Sequence, residues 1–324
     1  MYSGKAKDVI ELGQGRVRIK FRDSISAFDG VKKDDLTDKG KTNCKISAKL
    51  FAVLEKYGLP THYLEQDGEN ALICKKVKIF PVEVVCRNIA AGSFCRRYGV
   101  EEGFTFSKPI IEFFVKDDAH HDPLIDESVA IVMNLITQKE ALFLRNLTIA
   151  VNTILTSIFD SIGLTLVDFK LEFGKTDDGQ IVIADEISPD TMRLWEKETG
   201  EIKDKDRYRK DLGDVISHYK DIYKRLLELK ELPRISFRTL AKVDIQLKDA
   251  VLDSAGEVTL RSLKRLGLNI VSNVRLGKIA KIEFTIPPSS NLYATIQQIS
   301  QDILSNPLIE NYDIDFKVSS VQDI

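Results

Sequence analysis

"LTLVDFKLEFG", Leu164 to Gly174, and "IVIADEISPD", Ile181 to Asp190, are the stretches on which the fold turns. Side chains alternate faces along a strand. In the first stretch Val167, Phe169, Leu171 and Phe173 therefore lie on one face, and Asp168, Lys170 and Glu172 on the other. The apolar face belongs to a core, and the other is a row of charge. The connection "KTDDGQ" contains Asp178-Gly179, the favoured pair for a two-residue type I′ hairpin. Such a turn sets Glu172 directly opposite Asp185. Facing carboxylates with Cβ atoms about 5 Å apart repel. A divalent cation resolves that conflict, and hard oxygen ligands suit Mg²⁺ shared with phosphates. The competing reading is a solvated outer face on which Lys170 neutralises one carboxylate and water the rest. A turn of another length shifts the register.

The chain has 324 residues, too many for one ordinary core, so two domains are expected. With 43% hydrophobic and 30% charged residues it reads as a soluble globular protein. No apolar run approaches the roughly 18 residues of a membrane span, and the first residues carry no signal-peptide pattern. A net charge of -2 gives no general argument for nucleic acid or a membrane as partner. Cys44, Cys74, Cys86 and Cys95 form no C-x-x-C pair, which fits reduced thiols in a cytoplasmic protein. His62, His120, His121 and His218 lack the spacing of a zinc site.

Along the chain, Val17, Ile19 and Phe21 alternate with basic residues, giving a strand joined to its predecessor at Gly13-Gln14-Gly15. Ile46, Leu50, Val53, Leu54 and Tyr57 have helical spacing, stopped by Gly58. "NALICKKVKIFPVEVVCRN" is strand-like on both sides of Pro81. A helical pattern runs from about Ser128 to Ile162, and another, long and amphipathic, from about Lys205 towards Pro233. Beyond Pro233 the order is strand, helix, strand, helix, strand. That is a small α+β unit complete in itself, with the boundary between Glu231 and Ile235.

Two further segments carry chemistry. In "YSGKAKD" a turn at Gly4 can bring backbone N–H groups with Lys5 or Lys7 onto phosphates, although a solvated basic surface reads the same. It is not a Walker loop. In "CRNIAAGSFCRRYG", Arg87 ends an apolar strand, and the small residues before Ser93 permit close backbone approach. Arginine there recognises phosphate or carboxylate bidentately, or pairs with a structural acid. Arg193, beside the single Trp195, orients an anion or stacks for packing.

Taken together, "YSGKAKD", "DSISAFDG", "PVEVVCRNIAAGSFCRRYG", "HHDPLI", "LVDFKLEFG", "ADEISPDTMRLW" and "DKDRYRKDLG" resemble, in this order, the SAICAR synthetases of purine biosynthesis. The resemblance covers residues 1–232. It implies a two-lobed ATP-grasp or kinase-like fold, with a β-rich lobe over about residues 1–80 and an α/β lobe over 81–232. It also implies an ATP- and Mg²⁺-dependent ligase joining L-aspartate to carboxyaminoimidazole ribonucleotide through an acyl phosphate. By motif, Gly4, Lys5 and Lys7 cover the phosphates, Lys170 meets the nucleotide, and Glu172 and Asp185 hold Mg²⁺. Arg87, Ser93 and Arg193 clamp the ribonucleotide phosphate, Lys205 and Arg209 lie near the substrates, and Asp29 and Asp122 match acidic motif positions. Lys170, Arg193 and Lys205 are the catalytic candidates. Two departures stand out: the glycine loop begins at Tyr2, and Cys86 replaces an aliphatic residue.

The tail "VDIQLKDAVLDSAGEVTLRSLKRLGLNIVSNVRLGK", with "NPLIENYDIDF", is similar to PurS, the small non-catalytic subunit of formylglycinamidine ribonucleotide synthetase. This implies a small α/β sandwich over residues 236–324. Its role would be to bridge PurL-like synthetase and PurQ-like amidotransferase subunits. A homo-oligomer, dimer or higher, is expected. The alternative is another ATP-dependent ligase or kinase-like enzyme with an ACT-like regulatory tail.

Overall fold

In a computed structural model, residues 2–4, 6–27 and 30–322 are described, and Lys5 and Asp29 of the expected site lie outside them. The N-terminal part contains β1 (Tyr2–Ser3), β2 (Lys7–Gly13), β3 (Arg16–Phe21), β4 (Ser24–Ala27), β5 (Lys32–Asp35), α1 (Lys39–Lys56), β6 (Tyr63–Asp67) and β7 (Ala71–Lys75). Five strands form an antiparallel sheet in the order β1-β2-β3-β7-β6, and β4 pairs with β5. Val17, Ile19 and Phe21 bury their alternate face, and α1 contributes Ile46, Leu50, Phe51 and Leu54 to the same core.

There follow β8 (Lys78–Ile89), α2 (Ser93–Tyr98), β9 (Thr105–Val115), β10 (Leu124–Ile125), α3 (Glu127–Val132), α4 (Gln138–Ser161), β11 (Leu164–Lys175), β12 (Ile181–Ala184), β13 (Met192–Glu196), α5 (Asp206–Arg209) and α6 (Val215–Glu228). The second sheet runs β10-β9-β8-β11-β12, with β13 on the free end of β11. Strand β11 is its centre. Helix α4 packs on it, with Leu147, Val151, Ile154 and Ile158 fully buried. This helix is more apolar than the sequence reading allowed. A stretch of it is apolar and long enough to cross a membrane by composition, yet 67% of that stretch is buried within the fold. The two sheets meet where Ile183 bridges Thr61, with the His62 N–H donating to the Ile183 carbonyl at 2.9 Å.

Three sequence expectations need correction. The hairpin closes around Asp177–Gly179 rather than through a two-residue turn: Lys175 pairs with Ile181, and the Thr176 N–H donates to the Gln180 carbonyl at 2.9 Å. Gly179 at φ 84 takes the left-handed position that ends a three-residue loop. The register therefore moves by one, and Glu172 faces Ala184, not Asp185. A one-residue shift would send Asp185 to the opposite face. Its own backbone, at φ 64, leaves the strand and returns its carboxylate to the charged side. Next, the helical stretch from Ser128 is two helices. Asn134 at φ 58 ends the first, and a capping box between Thr137 and Glu140 starts the second. Last, the helix towards Pro233 breaks between Lys210 and Asp214, where Asp211, Gly213 and Asp214 all have positive φ.

The chain divides into two compact units, one ending at Ile235 and the other spanning Ser236–Val321. The second contains, but for the first residue of β14 and the last of β16, β14 (Ile235–Leu247), α7 (Ser254–Arg265), β15 (Gly277–Phe284), α8 (Ser290–Ile299) and β16 (Glu310–Gln322). Its three-stranded sheet has the order β15-β14-β16. Phe237, Ala241, Val243, Ile245, Leu292, Ile296, Ile314 and Phe316 form its core. Asp253 caps α7 through the Gly256 N–H, and Ser289 caps α8 through that of Leu292.

Candidate active site

The two sheets of the first unit enclose a cavity of about 1120 Å³. Val9, Val17, Ile19, Val77 and Ile79 give it an apolar wall, and β8, β11 and the segment after β12 supply charge. The row on β11 is not a solvated face. Asp168 is 3% exposed and Glu172 9%. Buried charges must be paired, and here the partners come from strands distant in sequence.

Lys170 donates to Glu83 Oε2 at 2.7 Å and to Glu172 Oε1 at 3.0 Å. Lys116, at the end of β9, binds the other oxygen of Glu172. Lys7 reaches across from β2 to Asp185 at 2.6 Å and Glu186 at 2.8 Å. Burial raises the Glu172 carboxyl, but Lys170 and Lys116 outweigh it and bring it down to about 2. Asp185 is held above its ordinary value, because burial and the charge of Glu172 exceed the pull of Lys7. Burial opposes the ammonium of Lys170, yet Glu172 and Glu83 hold its pKa well above that of a free lysine. The same balance with Asp185 and Glu186 raises Lys7.

The arginines converge on Asp168. One of its oxygens accepts from both Arg87 and Arg193 at 2.8 Å. Arg87 also binds Glu112 at 2.6 Å, so its guanidinium is largely committed to acids of the core. Arg193 binds Asp206 at 2.7 Å, and Arg209 binds the other oxygen of Asp206. The backbone of Gly92 presses on Arg193: a Cβ there would lie 2.4 Å from its Nη2, so a side chain at this position would displace the guanidinium. Asp190 accepts from Tyr219 at 2.8 Å and pairs with Lys39 at 2.6 Å. Lys205 makes no side-chain hydrogen bond or ion pair among the described residues. Burial, with Arg209 and Lys39 adding, holds its pKa below the ordinary lysine value against the attraction of Asp190.

Gly4, Lys7, Arg87, Asp122, Lys170, Glu172, Asp185, Arg193, Lys205 and Arg209 thus line one cavity. Ser93 is not on its wall, and the hydroxyl accepts from Arg97 at 3.2 Å. Sequence reasoning missed Glu83, Lys116, Glu186 and Asp190, and gave Asp168 no role. The alternation on β8 carried a signal for Glu83, which faces Glu172 across the ladder. Nothing local marks Lys116.

No group of three His, Cys, Asp or Glu among the described residues forms a closed metal cage. Glu172 and Asp185 are two hard oxygen donors on the same cavity whose charges repel each other. That fits Mg²⁺, which takes one or two carboxylates and completes its octahedron with phosphates and water.

Comparison with known proteins follows the division into two units. Residues 1–226 match the family described as SAICAR synthetase, and residues 240–318 match PurS, described as phosphoribosylformylglycinamidine (FGAM) synthase. The phosphoribosylaminoimidazole-succinocarboxamide synthase of Methanocaldococcus jannaschii is 48% identical over 226 residues, 70% of this chain and 93% of that one. A crystal structure of the same enzyme from Ehrlichia chaffeensis, 39% identical, covers 71% of this chain and 99% of its own with TM-score 0.69. A SAICAR synthetase in complex with ADP, 42% identical, covers 72% and 99% with TM-score 0.68.

Proposed function

The chain belongs to the SAICAR synthetase family over residues 1–226, and from that premise we propose that its cavity joins L-aspartate to the carboxylate of carboxyaminoimidazole ribonucleotide, consuming ATP. The observation that carries this reading is the set of three lysines, Lys7, Lys116 and Lys170, interleaved with Glu83, Glu172, Asp185 and Glu186 in one cavity.

A carboxylate does not react with an amine at neutral pH, because its leaving group would be oxide. Transfer of the terminal phosphoryl group of ATP to a carboxylate oxygen gives an acyl phosphate, from which phosphate leaves readily. The enzyme's task is to hold two anions in line and neutralise the charge that builds between them. We assign Gly4, Lys7, Lys116 and Lys170 to the phosphates of ATP, with the apolar wall around Val9, Val17 and Ile19 for the base. Glu172 and Asp185 would hold Mg²⁺, which supplies neutralisation of the phosphate oxygens when bound. With those carboxylates on Mg²⁺, Lys7, Lys116 and Lys170 would be free for phosphate, so the charge lattice would exchange partners instead of leaving any ion bare.

Arg193, Arg209 and Lys205 are assigned to the phosphate of the ribonucleotide. Lys205 is half-buried without a side-chain partner among the described residues, and an anion beside it supplies one. Arg87 acts at one remove, fixing Asp168 and through it Arg193. Asp122 and Asp190 offer carboxylates to substrate hydroxyl and ammonium groups. The second unit is assigned to docking with the synthetase and amidotransferase subunits of the formylglycinamidine enzyme, in a homo-oligomer of the whole chain in the cytoplasm.

Isotope transfer tests the chemistry. With ¹⁸O in the carboxylate of the ribonucleotide, one labelled oxygen must leave in inorganic phosphate. Unlabelled phosphate would exclude the acyl phosphate.

A further inference from the structure

His62, between α1 and β6, belongs to the cavity wall and has no place in the chemistry above. It is 2% exposed, and neither Nδ1 nor Nε2 has a hydrogen-bond partner among the described residues. Its ring is packed edge-on against Phe51, with centroids 5.1 Å apart and planes at 70°. Its backbone is fixed as well. The N–H donates to Ile183 at 2.9 Å, and the carbonyl accepts from Lys75 at 2.7 Å. The imidazole is therefore held in place where the two sheets meet, two residues along β12 from Asp185.

A buried polar group without a partner is costly, and in native proteins water or a ligand fills the gap. Burial, helped by the charges of Lys7 and Lys75, depresses the imidazole pKa to about 3, so the ring is neutral and offers one N–H and one lone pair. An ammonium has three N–H donors. Lys7 places two on Asp185 and Glu186, which leaves one over. Lys7 and His62 line the same cavity, and a buried water accepting from Lys7 and donating to the ring would satisfy both.

We propose that His62 is a positioning residue of the nucleotide site, bonded through buried water to the remaining donor of Lys7. It fixes the lysine rotamer against Asp185 and Glu186. This rests on the reading of the cavity as the nucleotide site.

The test measures ADP binding with Mg²⁺ by calorimetry, alongside the steady-state constants for ATP and the unliganded Tm. His62→Phe keeps the ring and its contact with Phe51 but removes both nitrogens. His62→Gln keeps a donor and an acceptor. Disturbing a residue that orients a ligand-binding group costs about 10- to 100-fold. Phe at this position should weaken ADP and raise KM for ATP at least about 10-fold, with kcat nearly unchanged and no loss of Tm, and Gln should recover most of the affinity. Unchanged ADP affinity in the Phe variant overturns the proposal. So does equal weakening in both variants accompanied by a fall in Tm, which marks a packing role. Should the Phe variant not fold, the Gln variant decides alone: ADP affinity within about threefold of the unsubstituted protein supports the proposal, and a larger loss overturns it. If the unsubstituted protein does not bind ADP, the reading of the cavity fails, which is a different result.

Discussion

Gly92→Ala isolates the anion clamp from the rest of the cavity. Gly92 has φ 58 and ψ -125, a region that alanine enters at a cost of about 1–3 kcal/mol. The new Cβ would stand 2.4 Å from Arg193 Nη2 and 2.9 Å from Cζ, whereas ordinary contact begins near 3.4 Å. Relief needs a shift of about 1 Å in the guanidinium, which its bonds to Asp168 and Asp206 resist. A misplacement of that size costs roughly 100-fold when it moves a group that positions substrate. The backbone strain alone lowers Tm by about 2–4 °C per kcal/mol in a unit of this size. Gly179→Ala supplies the control. Gly179 also has positive φ, at 84, but nothing lies within 4 Å of its would-be Cβ. Steady-state kinetics with the ribonucleotide varied, together with ADP calorimetry and melting curves, make the assay. Gly92→Ala should lower kcat/KM for the ribonucleotide about 100-fold, leave ADP affinity within threefold, and lose Tm. Gly179→Ala should lose Tm only. Activity within about threefold for Gly92→Ala would refute the role given to Arg193.

Other outcomes follow from the same geometry. Glu172→Gln and Asp185→Asn should each reduce Mg²⁺-dependent turnover at least about 100-fold while circular dichroism stays native, and near-normal turnover in both would contradict the metal assignment. Asp204 accepts from the Leu194 and Asp206 N–H groups, and burial, with Asp206 adding, lifts its carboxyl to about 7. The folded state then holds that proton where the unfolded chain has released it, so this group lowers stability as pH rises from about 4 to 7. Asp204→Asn removes the effect, and between pH 4 and pH 8 the variant should gain up to about 4 kcal/mol relative to the unsubstituted protein in urea unfolding. A difference independent of pH would argue against it. Removing residues 236–324 should abolish retention of the synthetase and amidotransferase subunits in a pull-down, and retention by the shortened chain would place their docking elsewhere.

The alternation in Leu164–Gly174 made the central strand and its charged face legible, because period two is imposed by the backbone itself. The register was not. Asp178-Gly179 serves a two-residue turn or, with Gly179 left-handed, the end of a three-residue loop, and sequence does not choose between them. Asp185 reached the site in spite of the shift because its positive φ turns it back, a conformation Asp adopts more readily than most residues. The helix break near Asn134 was legible in part, since Thr137 and Glu140 form a capping-box pattern. Lys116 was not legible: its partner Glu172 is 56 residues away, and only the pairing of β9, β8 and β11 brings the two together. The commitment of Arg87 to Glu112 and Asp168 is likewise a product of strand pairing.

The central claim is that this cavity couples ATP to the joining of two particular substrates. Formation of ADP by the purified protein, with Mg²⁺, measures it most directly when carboxyaminoimidazole ribonucleotide and L-aspartate are each omitted in turn. The account predicts one ADP and one phosphate for each succinocarboxamide formed, and no net turnover with either substrate missing. Turnover of ATP indifferent to both would contradict it.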